Sequence, residues 1–570
     1  MFVPKIFLIL PFKMSTENFI GHGRKDFVNY ATELYPITPA AEDIGLRRLN
    51  FSLERNGLVY RSDWTPIGVR DSSVLATILN FPAVARLKSI RQLGPNIKHP
   101  YSYDHTAWEH STEQMILALA TLGRLAEEQP RLFHEATCRY RFESIDRRTH
   151  LQNILIAAAL IAAFHDAESP ALRDTMKFAL KTKDSVTDEN ILLARRLMNP
   201  RDRKYIPLIE MLVEEGFLTP LFAKELPGLI AKVVLREEDG LLGDLLHGKA
   251  REDLSDPSGL SKPLDLDRIT YTIQDPIRVL GELVFDRNAS ESETAHGLEN
   301  WGLYLHYMVA NLKQLTYRWA LMKQSGREDL VSFEKRFFSE RMRPEFMDLT
   351  PNIGLGRDEL GVVRIGFRDI PKLYYFLAGS LFGNLRDLYL EPGMIFTEKA
   401  LEREFTKARK RLIKSLGLES NQNLVEYFIG LTDEEAMVLL EREVPNAFEA
   451  IGDSQYEGYY FEGRFLNTTK RKDVLSWALF GSKRRTGKKE TRYVYVPVHA
   501  HPGTSTCVIE PNGRAFPFWK AVPEVAEDLQ QEVEANLRGN TLLIHAYDNR
   551  GNPFILTEDD VRSGNSQLLL

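Results

Sequence analysis

Cysteine is nearly absent: 570 residues include only Cys138 and Cys507. So sparse a pair cannot build a disulfide framework, and it fits a reducing, cytoplasmic setting. Long apolar runs are missing too. The longest, Asn153 to Phe164 (NILIAAALIAAF), falls short of the roughly 18 residues that cross a bilayer. The oily first thirteen residues (MFVPKIFLILPFK) offer one lysine, a short apolar stretch and no small-residue cleavage site, a poor secretory leader. No membrane partner is expected. Nor is there an excess of positive charge. With 73 Lys and Arg against 79 Asp and Glu, the net charge is −6, which disfavours a dedicated nucleic-acid binder. Internal repeats and phosphate-loop fingerprints are lacking as well; Gly354-Leu355-Gly356 has no strand–turn–helix context around it.

What remains is an ordinary globular composition, 43% apolar and 27% charged, in a chain long enough for a real hydrophobic core. Residues 14–80 read as a mixed segment with short extended pieces near Val59–Val69. From Phe81 to about Pro200 the pattern is helical. Leu151–Phe164 is apolar nearly all round, which marks a buried central helix. Further helices are expected at 186–197, 206–215, 223–234, 295–325, 367–388, 397–413 and 434–443. A change of character falls near 444–455. Beyond it, Tyr456–Phe465, Thr491–Val498 and Leu542–Tyr547 are rich in aromatic and β-branched residues and read as strands.

The most informative dipeptide is His165-Asp166, at the end of the oily helix. Alone it means little, since neighbouring side chains on a helix diverge. Two further stretches give it meaning: ARLKSIRQLGPNIKHPYSYDHTAWEHSTEQM over 85–115 and LDLDRITYTIQD over 264–275. In order, the chain carries Arg86-Leu87 with Gln92-Leu93-Gly94, then Glu109-His110-Ser111, then His165-Asp166, then Asp265-Leu266-Asp267-Arg268 with Tyr271 and Asp275. This succession resembles the HD-domain metal-dependent phosphohydrolases, in particular their deoxynucleoside triphosphate triphosphohydrolase-like branch. The likeness continues weakly to Leu431-Thr432-Asp433-Glu434 and is not visible after about residue 445.

The resemblance implies a mainly α fold. With the residue patterns, it gives an N-terminal segment (1–80), an HD-type helical core (81–290) and a helical extension (291–445), while the strand-like segments alone give a smaller α+β C-terminal unit (446–570). It also implies that His110, His165, Asp166 and Asp267 hold one divalent ion. Two imidazole nitrogens with two carboxylates suit Mn, Fe, Ni, Co or Zn, and less well Mg. Asp267, Tyr271 and Asp275 fall at i, i+4 and i+8, on one helix face. By the resemblance, Arg268 approaches phosphate, Tyr271 packs by a sugar, Asp275 accepts from its hydroxyl, and Gln92 contacts base or sugar. Arg86 is either part of this binding surface or a solvated helix face.

Departures from the family are as informative. Ala107 stands where the family has an arginine three residues before the first ligand histidine, which removes a bidentate phosphate clamp. After His165-Asp166 the family's histidine-bearing run is replaced by Ala167-Glu168-Ser169-Pro170-Ala171-Leu172-Arg173-Asp174, and its later histidine by Asp188. Three outcomes are open. Glu168 or Asp188 could take over acid–base work, with His105 as a further candidate. Metal-bound water could act alone on a milder substrate. Or the domain could bind a nucleotide without turning it over. The expectation is a phosphohydrolase acting on a nucleotide, with a silent nucleotide-binding module, or a nuclease or cyclic-nucleotide phosphodiesterase, as alternatives. Family members often assemble, so a homo-oligomer is expected. The segment 470–492 holds nine Lys and Arg beside Trp477 and Phe480, and could meet a polyphosphate or single-stranded nucleic acid, or simply solvate a loop.

Overall fold

The computed structural model describes residues 37–48, 57–62, 65, 67–92, 105–247, 263–280, 349–380, 405–445, 460–465, 492–498, 505–527, 529 and 539–545. The helices expected at 295–325 and the basic segment before Arg492 lie outside the described residues. The architecture is mainly α, with small sheets.

Two long helices form the centre. The first, α1 (Ala107–Glu128), begins at a reciprocal capping box: the Thr106 hydroxyl accepts from the Glu109 N–H while the Glu109 carboxylate accepts from the Thr106 N–H. The second, α2 (Arg147–Phe164), is capped by Asp146, whose carboxylate accepts from the N–H groups of Arg148 and Thr149. From Asn153 onward every residue of α2 is buried. At about 1.5–3 kcal/mol per fully buried large aliphatic side chain, this helix is a principal contributor to the core. Its alanines at 157–159 and 162–163 let neighbouring helices pack closely.

Around this pair lie α3 (Arg173–Leu180), α4 (Glu189–Met198), α5 (Pro220–Val234), the short α6 (Leu241–Leu246) and α7 (Leu266–Leu280). The extension supplies α8 (Asn421–Gly430) and α9 (Asp433–Glu443), the latter with its own capping box at Thr432 and Glu435. Among the described residues no helix is long and apolar enough to cross a membrane.

The strands form three sheets. Strands β1 (Leu46–Arg48), β2 (Leu58–Arg61) and β3 (Ile67–Arg70) pair antiparallel in the order β1-β3-β2, in the stretch read as extended pieces. Strands β4 (Ile353–Arg357) and β5 (Val363–Phe367) form a hairpin in which Leu355 faces Ile365. Phe367 therefore ends a strand, and the helix read from 367 starts at Ile370. Gly354 and Gly356 lie inside β4 rather than in a loop.

The three expected C-terminal strands are present as β6 (Tyr460–Phe465), β7 (Arg492–Val498) and β10 (Gly539–His545), ordered β6-β10-β7. The pair β8 (Cys507–Ile509) and β9 (Ala515–Pro517) behaves differently. It joins the β4–β5 hairpin across the change of character near residue 445, with Phe367 beside Val508 in parallel pairing. A Cβ at Gly366 would stand 2.9 Å from the Cys507 carbonyl oxygen, so only glycine admits this approach. Cys138 and Cys507 are free thiols.

Candidate metal centre

Helix ends deliver the site. His110 sits in the first turn of α1, because the capping box fixes where that helix begins. His165 and Asp166 follow the last turn of α2. Asp267 lies in the first turn of α7. The cap there is Asp265, whose carboxylate accepts from the Arg268 N–H at 2.8 Å, leaving the Asp267 side chain for other work.

His110 Nε2 stands 2.9 Å from Asp267 Oδ1, and His165 Nε2 stands 3.7 Å from the same oxygen. Ligand atoms of His110, His165 and Asp267 all lie within 4.8 Å of one another. The His165 ring is aimed by its other nitrogen, since Nδ1–H donates to the Ala162 carbonyl at 2.8 Å. That bond turns Nε2 toward the group, the orientation an ion-binding imidazole requires. Among the described residues His165 Nε2 is buried without a hydrogen-bond partner, an atom a cation would satisfy. The donor set therefore fits a borderline divalent ion.

Asp166, expected as a ligand beside these three, has a second attachment. Arg173 grips it end-on, with Nη1 to Oδ2 at 2.8 Å and Nη2 to Oδ1 at 3.1 Å. Asp166 Oδ2 stays 3.3 Å from His165 Nε2. Burial opposes ionisation of Asp166, but Arg173 and His165 outweigh it and hold the carboxyl well below its usual range. Burial likewise disfavours a charged His165. The Asp166 and Asp267 carboxylates override it and push that imidazole up to about 9.

The other expected residues divide into those the fold gathers here and those it uses elsewhere. His105 Nε2 lies 2.8 Å from Asp275 Oδ1, both buried, and His105 Nδ1 is buried without a partner. Asp267 and Asp275, two turns apart on α7, thus each meet a histidine from the start of α1 or the residues just before it. Tyr271 lies between them on that face and is half-buried. Gln92 Oε1 accepts from Arg173 Nη1, and the Gln92 N–H donates to the His105 carbonyl. Arg268 Nε reaches the Ser380 hydroxyl at 3.5 Å.

Arg86 is neither solvated nor turned toward the cluster. Its guanidinium donates to the carbonyls of Leu431, Ala167 and Ser169, tying the loop after Asp166 to the extension. Glu168 is fully buried in a separate network, accepting from Lys204 Nζ at 2.8 Å and from the Tyr205 hydroxyl, with Arg196 Nε at 3.0 Å. Asp188 is exposed and caps α4 by accepting from the Ile191 N–H. Both carboxylates expected to replace the missing histidines therefore have structural partners instead.

Two residues went unnoticed in the sequence. Arg173 gave no local signal, because its partners Asp166 and Gln92 meet it only in the fold. His247, just past α6, is 2% exposed; its ring packs against His165 with centroids 5.5 Å apart, and among the described residues neither nitrogen has a hydrogen-bond partner. Burial drives its imidazole down to about 3, so it is neutral at physiological pH. A lone histidine in a Gly/Asp-rich connection carries no motif by which to find it.

No family model matches the chain, and no curated protein matches it. Among solved structures, a phosphohydrolase from Bacteroides thetaiotaomicron is similar over 83% of this chain and 96% of that one, at 13% identity and a TM-score of 0.46.

Proposed function

We infer that this chain is a phosphohydrolase that holds one divalent cation through His110, His165 and Asp267, with Asp166 at the rim, and acts on a nucleotide, a (deoxy)nucleoside triphosphate in the first instance. One observation carries the reading. Two imidazoles and a carboxylate, from positions 110, 165 and 267, converge within 4.8 Å, with a nitrogen that has no hydrogen-bond partner among the described residues facing the group. A divalent ion bound there would polarise a phosphoryl oxygen and lower the pKa of a coordinated water.

The chain's own residues supply the rest. His165 Nδ1 stays bonded to Ala162, which holds the ring still. His105, braced by Asp275, can take or give a proton at Nδ1, the atom left without a partner. Glu168 and Asp188, engaged elsewhere, have no part in proton transfer. That same engagement favours the second reading, nucleotide binding without turnover, because it leaves fewer groups for acid–base work.

The test is turnover by the purified full chain with Mn²⁺, Fe²⁺, Co²⁺ or Mg²⁺ and a panel of nucleoside mono- and triphosphates. Release of phosphate, pyrophosphate or triphosphate above an Asp267→Ala control is expected. Calorimetric nucleotide binding with no product would instead establish the silent module. A cyclic nucleotide or single-stranded oligonucleotide as the preferred substrate would move the chain to the phosphodiesterases or nucleases.

A further inference from the structure

Leu172 and Arg173 both have left-handed backbone, with φ of 62° and 41°. Neither is glycine, and such a backbone is strained unless the surroundings hold it there. Here they do. The Leu172 N–H donates to Asp433 Oδ1 at 2.7 Å, the Ala171 N–H donates to the Phe428 carbonyl at 3.0 Å, and Arg86 ties down the carbonyls of Ala167 and Ser169. The outcome of this strain is the placement of one side chain. The Arg173 guanidinium, in a residue 8% exposed, comes to lie against Asp166 and Gln92 beside the histidine–carboxylate group.

The donors of that guanidinium are unevenly used. A guanidinium presents two forks, one end-on through its Nη atoms and one side-on through Nε–H and the neighbouring Nη2–H. Asp166 closes the end-on fork of Arg173, and Gln92 takes the remaining Nη1 hydrogen. Among the described residues Nε is buried with no hydrogen-bond partner, and the one hydrogen bond of Nη2 goes to Asp166 Oδ1. The side-on fork is thus free. A buried N–H without a partner is costly, and a ligand supplying two oxygens at fork spacing would satisfy it. Phosphate oxygens have that spacing and the complementary charge.

We propose that Arg173 is a substrate-binding residue whose side-on fork receives two phosphoryl oxygens, supplying from the far side of Asp166 the clamp that Ala107 cannot. This rests on the phosphohydrolase reading and names the group that recognises the phosphate chain. Asp166 and Gln92 then serve as orienters that fix the plane of the guanidinium before substrate arrives, which reduces the ordering cost of binding.

Inorganic tripolyphosphate is the probe, titrated calorimetrically into full-length protein loaded with Co²⁺. Arg173→Lys keeps the charge and loses the fork. It is expected to weaken tripolyphosphate binding about tenfold or more, the loss of a charged bidentate contact, while Co²⁺ affinity stays within about twofold. A merely structural role would move both affinities together or neither. Equal tripolyphosphate affinity in wild type and Arg173→Lys overturns the proposal and leaves the cation site standing. Wild-type protein that binds no Co²⁺ overturns both.

A second measurement needs no variant. Hydrogen–deuterium exchange of the wild type should show the peptide spanning 168–176 protected when tripolyphosphate is added. Unchanged exchange there, at saturating tripolyphosphate, overturns the assignment of Arg173.

Discussion

Asp433 Oδ1 lies 2.7 Å from the Leu172 N–H, and its other oxygen lies 2.8 Å from the Arg91 N–H. One carboxylate at the start of α9 therefore fastens two chain segments that border the histidine–carboxylate group. The extension is not an appendage to the site. It holds in place the loop from which Arg173 projects.

Removing that fastening should be costly. Asp433 is buried, and an asparagine has one carbonyl oxygen for two backbone donors. Asp433→Asn is expected to destabilise the fold by about 1–3 kcal/mol, the usual result of leaving a buried donor unsatisfied. Thermal unfolding followed by circular dichroism checks this, and an unchanged midpoint would mean the loop is held by Arg86 and Phe428 alone.

Cation binding should depend on residues far apart in the chain and on few near them. His110→Ala and Asp267→Ala are each expected to abolish stoichiometric Co²⁺ uptake, measured by elemental analysis after gel filtration. Asp188→Ala should leave uptake and any turnover intact, while lowering stability by about 1 kcal/mol through loss of the α4 cap. If Asp188→Ala instead removes turnover at full stability, its carboxylate has a chemical role after all.

Glu168 offers the sharper contrast. Its carboxylate is fully buried among Lys204, Arg196 and Tyr205. Breaking a buried ionic network by removing one partner costs about 3–5 kcal/mol. Glu168→Gln is therefore expected to lower the unfolding temperature markedly, yet to bind Co²⁺ normally at temperatures where it is folded. A stable Glu168→Gln protein with abolished turnover would return Glu168 to the chemistry.

The pH dependence of stability should carry the mark of His150. Burial, aided by the nearby Arg141 charge, lowers its imidazole below the ordinary value of 6.5, with Nε2 3.1 Å from the Thr137 hydroxyl. Folded protein then binds fewer protons at this residue than unfolded protein does. Its contribution is fully present above pH 6.5 and is lost as pH falls below that value. His150→Gln should flatten this part of the stability curve, read from denaturant midpoints between pH 5 and 8 (about 1.5 units to either side of the unfolded value).

Several features could be read without any fold. The all-apolar face of Asn153–Phe164 required burial on every side. The order of His110, His165-Asp166 and Asp267 in the sequence, with Tyr271 and Asp275 at helical spacing, picked out the residues that now stand near one another. The burial pattern is a periodic property that a helix expresses whatever surrounds it, whereas the site residues were marked through the family resemblance.

Sequence alone determined which side chains were chemically able to form a cation site and which segments would be helices. Tertiary structure decided how the charged groups were shared out. It paired Asp166 with Arg173, placed Glu168 in an ionic network and Asp188 at a helix end, set His247 beside His165, and joined β8 to β5 across a long stretch of chain. A carboxylate or guanidinium binds whatever complementary group the packed backbone brings within about 3 Å, and that proximity is a property of the fold rather than of neighbouring residues.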